Sequence, residues 1–385
     1  MKRLLSLIFA IFLIISICPK GVLHSYADTK TDLDKIIEEN LDKLDFSEIE
    51  DYLKNTNTDF NKSFSVYIKE IISGEFSLDF SSIFSYLTGL LTEKISSVLP
   101  RFISVIAIAL LYKFIAEIGA PIDEIKDVVY YACVGSIVII LFSAVTECFN
   151  SAQKTIENCN TIIQIISPVL LTLMVACGET VSVGIFNPAI VFYGTLTTSL
   201  ILQTIFPLIK MILILSLLSG ISPELKLNGF ILFFSNLIKW ILGISFTVFS
   251  LYLSLQGILG GNIDGVSIRA TKYAISNSIP IIGGYVSGGF NIVVAGSVLI
   301  KNAVGIGGIV VLFFSVISPL FFIIATQLLI KLLSAIISVV SDEKISTVCN
   351  NLSKGLSLVI ASIVGVCFIF IIFVLIIICF GGAFI

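Results

Sequence analysis

The sequence predicts an all-α, polytopic α-helical membrane protein with about seven to nine spans, some broken at Pro or Gly. A small N-terminal helical region on the non-cytoplasmic side precedes the spans. Three observations carry this reading. The 385 residues are 57% hydrophobic and 13% charged, with a mean hydropathy of +1.07; an ordinary soluble domain carries roughly 25% charge. Seven charge-free runs, 128–146, 158–178, 180–209, 240–263, 273–300, 302–330 and 355–385, each hold 19 or more residues, and ~20 apolar residues cross the hydrocarbon as a helix. Acidic charge is concentrated near the front: residues 28–97 carry 15 Asp and Glu against 7 Lys and Arg, whereas residues 98–385 carry 11 against 13.

The first segment, 1–27, reads as a cleaved secretory signal. Lys2 and Arg3 precede an apolar run from Leu4 to Ile17, which is too short to span. Ser25 and Ala27 are small residues at the −3 and −1 positions of a cleavage after Ala27. The same residues also admit a lipidated Cys18 or an uncleaved anchor. Cleavage removes His24, the one histidine, and with it imidazole catalysis and His-ligated metals. Cys18 leaves too. Seven cysteines remain, scattered through apolar segments, and they read as small buried hydrophobes. Cys148 and Cys159 share one stretch between two runs and could pair if that loop were oxidised.

Residues 28–97 read as helical. Leu33, Ile36, Ile37, Leu41 and Leu44 form one stripe, with Thr31 or Asp32 as a cap. Phe64, Tyr67, Ile68, Ile71 and Ile72 form a second stripe, ended by Gly74. "DFSSIFSYLTGLLTEKISSVL" leads towards the membrane. These stripes need a partner surface, either one another or another protein. About 70 residues are marginal as a free domain.

The transmembrane domain, 98–385, follows. Phe102–Ala116 is a further span, with Lys113 near its end, and Met211–Gly220 reads as a half-span after Pro207. Counting positive charges does not choose an orientation for the C-terminus. Prolines fall inside several runs, and Pro168, Pro188 and Pro319 are expected helix breaks, either kinks or cavity-lining interruptions. "IISPVLL" and "VISPLFF" resemble one another, a weak sign of duplication.

Reactions can be tested by the residues they require. The chain has no HExxH, no G-x-S-x-G and no Gly-Lys-Ser/Thr loop. Asp264 is the one aspartate near the edge of a span. Ser297 and Lys301 stand at i and i+4 on one helix face, the minimum for a Ser–Lys pair, though both residue types have ordinary structural roles. No cofactor and no metal are expected.

The stretch Asn277–Gly308 holds eight of the 27 glycines and a single charge, Lys301. Small residues let membrane helices approach closely. Doubled glycines also suit a bend or an unwound segment lining a cavity. Pro280, Gly283, Gly284, Gly288, Gly289, Ser297, Lys301, Asn302 and Gly305 are therefore the candidate helix-packing or pore-lining residues. Lys301 separates a charge-free run of 28 residues from one of 29. It sits either in a short interfacial turn, "KNAVG", or within the membrane, where no acidic residue lies in its two flanking runs. The interfacial turn is the favoured placement, because 281–300 already suffices to span.

"RATKYAISNSIPIIGGYVSGGFNIVVAGSVLIKNAVGIGG", "IISPVLLTLMVACG" and "ISPELKL" resemble blocks of the stage III sporulation protein AE family. The resemblance implies a non-enzymatic membrane component of a mother cell–forespore channel or secretion complex. It places the protein in the outer forespore membrane, with 28–97 in the intermembrane space. Its partners would be the other membrane proteins of the stage III A sporulation operon, indirectly stage II sporulation protein Q of the forespore, and the lipid bilayer. No nucleic acid is expected. The family pattern has an acidic residue after the serine matching Ser287. Gly288 stands there, which argues against a carboxylate ion site in that block. A secondary transporter or permease feeding the forespore is the alternative function.

Overall fold

The computed structural model describes residues 41, 44–55, 63–74, 80–118, 123–221, 227–249, 251–252, 270, 283–340 and 343–379. The signal segment, most of the first N-terminal stripe, Asp264 and Pro280 lie outside these. The described residues are helical throughout their ordered elements. Among the described residues, nine helices follow in order: α1 (Ser47–Asn55), α2 (Phe64–Ser73), α3 (Phe80–Ile118), α4 (Asp123–Ala176), α5 (Thr180–Ser199), α6 (Phe206–Ile221), α7 (Asn228–Phe249), α8 (Gly283–Val340) and α9 (Glu343–Cys379). A π-helical segment, Leu200–Ile205, joins α5 to α6 without a break.

Six of these helical stretches are long and apolar enough to cross a membrane. In two places a pair of charge-free runs shares one continuous helix. α4 carries 128–146 and 158–178 together, and α8 carries most of 273–300 together with 302–330. At 1.5 Å per residue they are roughly 80–90 Å long, against ~30 Å of hydrocarbon.

The polar residues between the α4 runs do not break it, because they fall on one side. Cys148, Phe149, Ala152, Ile156 and Cys159 are buried, whereas Asn150, Gln153, Lys154 and Glu157 face outward. Cys148 and Cys159 are thus eleven positions apart on one helix, about 16 Å along its axis, and cannot bridge.

Pro168, Pro188 and Pro319 each lie inside a continuous helix, so none of them unwinds it. A proline removes one N–H and crowds the preceding turn. Two hydroxyls bond backbone carbonyls in the turns around Pro168: Ser167 donates to Ile163 O, and Thr172 donates to Pro168 O at 2.9 Å. The π-helical segment, wider than an α-helix by about one residue per turn, ends two residues before Pro207 and was not expected from the sequence.

α3 and α4 run antiparallel, as do α8 and α9, as their contacts require. Arg101 pairs with Glu147, and Tyr112 stacks edge-on with Tyr130, across α3 and α4. Phe149 meets Phe206 across α4 and α6. Gln327 reaches Ser353 O at 3.1 Å, and Ser334 Oγ lies 3.0 Å from Ser346 Oγ, closing the α8–α9 hairpin. α8 is central and packs against α9, α4, α3 and α2. The most apolar helix, α9, is also the most buried of the six. Exposed large hydrophobics concentrate on α3, α4 and α7, with Ile103, Phe114, Ile139, Phe233 and Trp240 each more than half exposed. That distribution suits helices facing lipid around a central pair.

The acidic N-terminal region does not stand apart. Asp45 accepts from Ser47 N–H at 2.9 Å and from its hydroxyl, which opens α1 and holds the Asp45 carboxyl below its usual range. Gly74, at φ 73°, ends α2 as its position predicted. Phe64 and Ile68 are buried, and Tyr52 Oη lies 3.2 Å from Ser315 Oγ of α8. The second stripe therefore docks on the protein's own membrane bundle, with Asp45, Glu48, Asp51 and Lys69 outward.

Candidate functional site

The site grows from the corner between α4 and α5. α4 ends at Ala176. Gly178 adopts φ 87°, a left-handed conformation that glycine takes without strain. Its N–H reaches Val175 O at 2.9 Å, and Glu179 N–H reaches Met174 O at 3.0 Å. This paired closure is a Schellman cap. It turns the chain so that Glu179 becomes the N-cap of α5, where the positive end of the helix dipole favours a carboxylate. The Glu179 side chain makes no cap bond to its own helix. It points instead to Lys301.

Lys301 Nζ donates to Glu179 Oε1 at 3.4 Å. The side chains are 0% and 2% exposed. Lys301 lies within unbroken α8, so the short interfacial turn expected at "KNAVG" is absent. The lysine is interior because its charge is neutralised there. Its partner comes from a segment 122 residues away, outside the two flanking runs. Ser182 and Ser297 are also buried, and Cys177 packs with Val294 and Val298. Asn302 Oδ1 is buried with no hydrogen-bond partner among the described residues.

Beyond Lys301, three glycines receive three neighbours. A Cβ on Gly305 would stand 2.6 Å from Ile378 of α9. On Gly307 it would stand 2.8 Å from Ile68 of α2, and on Gly308 2.8 Å from Ile166 of α4. These are contacts only glycine allows without movement, the close approach expected of small residues in packed membrane helices. Gly305 therefore fits the packing alternative. Gly283, Gly284, Gly288 and Gly289 lie in the first turns of α8, and their surroundings fall outside the described residues.

Sequence reasoning brought Ser297, Lys301, Asn302 and Gly305 to one segment, and the structure keeps them there. It missed Glu179, Gly307 and Gly308. A signal for Glu179 existed. It is a lone acidic residue between runs of 21 and 30, as Lys301 is a lone base between two long runs. Two isolated opposite charges in such surroundings are natural partners.

The sequence pattern of the stage III sporulation protein AE family matches residues 62–381. A curated relative, the stage III sporulation protein AE of Bacillus subtilis (strain 168), is 26% identical over 260 residues. That alignment covers 68% of this chain and about 65% of the relative. No solved structure matches.

Proposed function

The chain belongs to the stage III sporulation protein AE family, and from that membership we propose that it is a non-enzymatic membrane component of the mother cell–forespore complex. Membership implies a role in sporulation. The finer reading is a subunit that helps build a channel or secretion apparatus in the outer forespore membrane. Its partners there would be the other membrane proteins of the stage III A operon and, through them, stage II sporulation protein Q. The N-terminal region would face the intermembrane space.

The observation that carries this reading is the sealing of the Glu179–Lys301 pair. The charged groups best placed for chemistry are committed to each other and closed off from solvent. A general base or nucleophile must reach a substrate proton or carbon at hydrogen-bond distance. A paired, enclosed ammonium instead fits a part that holds helices together. The docking of α2 on α8 supports the same reading, since it gives the acidic, outward face of the N-terminal region a fixed position from which to meet other subunits.

The test has two arms. Deletion should block sporulation after engulfment, with rescue by the full chain, and the tagged chain should co-purify with the other operon products from sporulating cells. Purified alone in liposomes, it should move no small solute. Solute uptake by the isolated chain would replace this reading with a permease. Normal sporulation without it would remove the role.

A further inference from the structure

We propose that the Glu179–Lys301 pair is the register pin of the molecule: it fixes α8 lengthwise, so that Gly305, Gly307 and Gly308 meet Ile378, Ile68 and Ile166.

α8 is 58 residues of almost uniformly apolar sequence between other apolar helices. Isoleucine, valine and leucine contacts change little if such a helix slides by one turn, about 5.4 Å. Outside the glycine sockets, apolar packing therefore holds the helix with little preference for register. A buried charge behaves differently, because an unpaired ion in the interior is far costlier than a displaced methyl. Buried polar groups that choose register in otherwise apolar helix pairs are the best-attested use of such costly residues. Among the described residues, the carboxylate that meets Lys301 stands at the α4–α5 corner. That corner is fixed by the Gly178 cap.

The glycines lie four to seven residues beyond the pin, about 6–10 Å along the axis. Each admits a branched side chain at a distance where a Cβ could not stand. A one-turn slip would present Val304 or Val311 where glycine is needed. Ile68 and Phe64 would then lose their seat, and the N-terminal helices with them. The pin therefore sets the docking of a region outside the bundle from a point inside it.

The test uses the full chain in membranes and two short bismaleimide cross-links. One joins Tyr52→Cys to Ser315→Cys, whose hydroxyls lie 3.2 Å apart between α1 and α8. The other joins Ser334→Cys to Ser346→Cys, whose hydroxyls lie 3.0 Å apart in the α8–α9 hairpin. Both are combined with a neutral pair, Glu179→Gln with Lys301→Met, and with a reversed pair, Glu179→Lys with Lys301→Glu. The neutral pair should accumulate, lose the 52–315 product by about tenfold, and keep the 334–346 product within about twofold, because removing both charges leaves no unpaired ion while removing the register choice. The reversed pair should recover most of the 52–315 product. A neutral pair that keeps both products, loses both or fails to accumulate overturns the pin, as does a reversed pair no better than the neutral one.

Discussion

Lys301 of α8 and Glu179 of the α4–α5 corner meet at 3.4 Å with almost no exposure, although 122 residues separate them. Neither charge is tolerable at that place without the other. Removing one partner of such a pair typically costs about 3–5 kcal/mol. Lys301→Met and Lys301→Gln should each lower the amount of folded protein extracted in mild detergent, and Glu179→Gln likewise. Spore counts should fall in step with protein level. Normal levels for all three would show that the pair contributes nothing to folding.

The glycines make a sharper contrast. A Cβ on Gly365 would stand 2.5 Å from Phe246, whereas Gly135 has open space around it. Gly365→Ala should lower stability by about 1–3 kcal/mol through overpacking. Gly135→Ala should raise it by up to ~1 kcal/mol, from better helix propensity. Thermal unfolding in detergent reads both, and equal shifts in the two variants would contradict the packing account.

Docking of the N-terminal helices depends on few side chains. Ile68→Asp places a charge against Gly307 and should release α1 and α2 from the bundle. Trypsin should then cut at Lys54 and Lys69 at least ~10-fold faster, since local opening governs proteolysis. Tyr52→Phe removes a single hydroxyl contact with Ser315, worth about 0.5–1.5 kcal/mol, and should speed cleavage only slightly.

The Arg101–Glu147 pair joins α3 to α4 at sites nearly half exposed. Arg101→Ala should change the unfolding midpoint only modestly, within about 1 kcal/mol, and the difference should shrink further at high salt. A loss as large as that of Lys301→Met would mean that this exposed pair matters as the buried one does.

Orientation can be read from the first described helix. Ser47 is exposed at the start of α1. Ser47→Cys should react with a membrane-impermeant thiol reagent added from the non-cytoplasmic side. Reaction only after the mother-cell membrane is opened would place residues 28–97 in the cytoplasm.

Class was written in the sequence because composition and run length are local properties. Long charge-free stretches cannot be solvated, and in lipid a helix satisfies its own backbone. The stripe Phe64, Tyr67, Ile68, Ile71 and Ile72 and the stop at Gly74 were legible for the same reason, since periodicity and a left-handed glycine act within a turn or two. Which charge-free runs share one helix was not. A charge such as Lys301 or a group such as Asn150–Glu157 ends a span only if water reaches it from all sides. Whether it does depends on the neighbour that covers the other face. The partner of Lys301 lay beyond any pattern in its own segment, because pairing across 122 residues is decided by how α4, α5 and α8 stack. The glycines showed that something packs closely, but a missing side chain cannot name its visitor. Only the tertiary arrangement assigned Ile378, Ile68 and Ile166 to three adjacent sockets, since distance in the chain carries no information about which apolar surfaces come to share a contact.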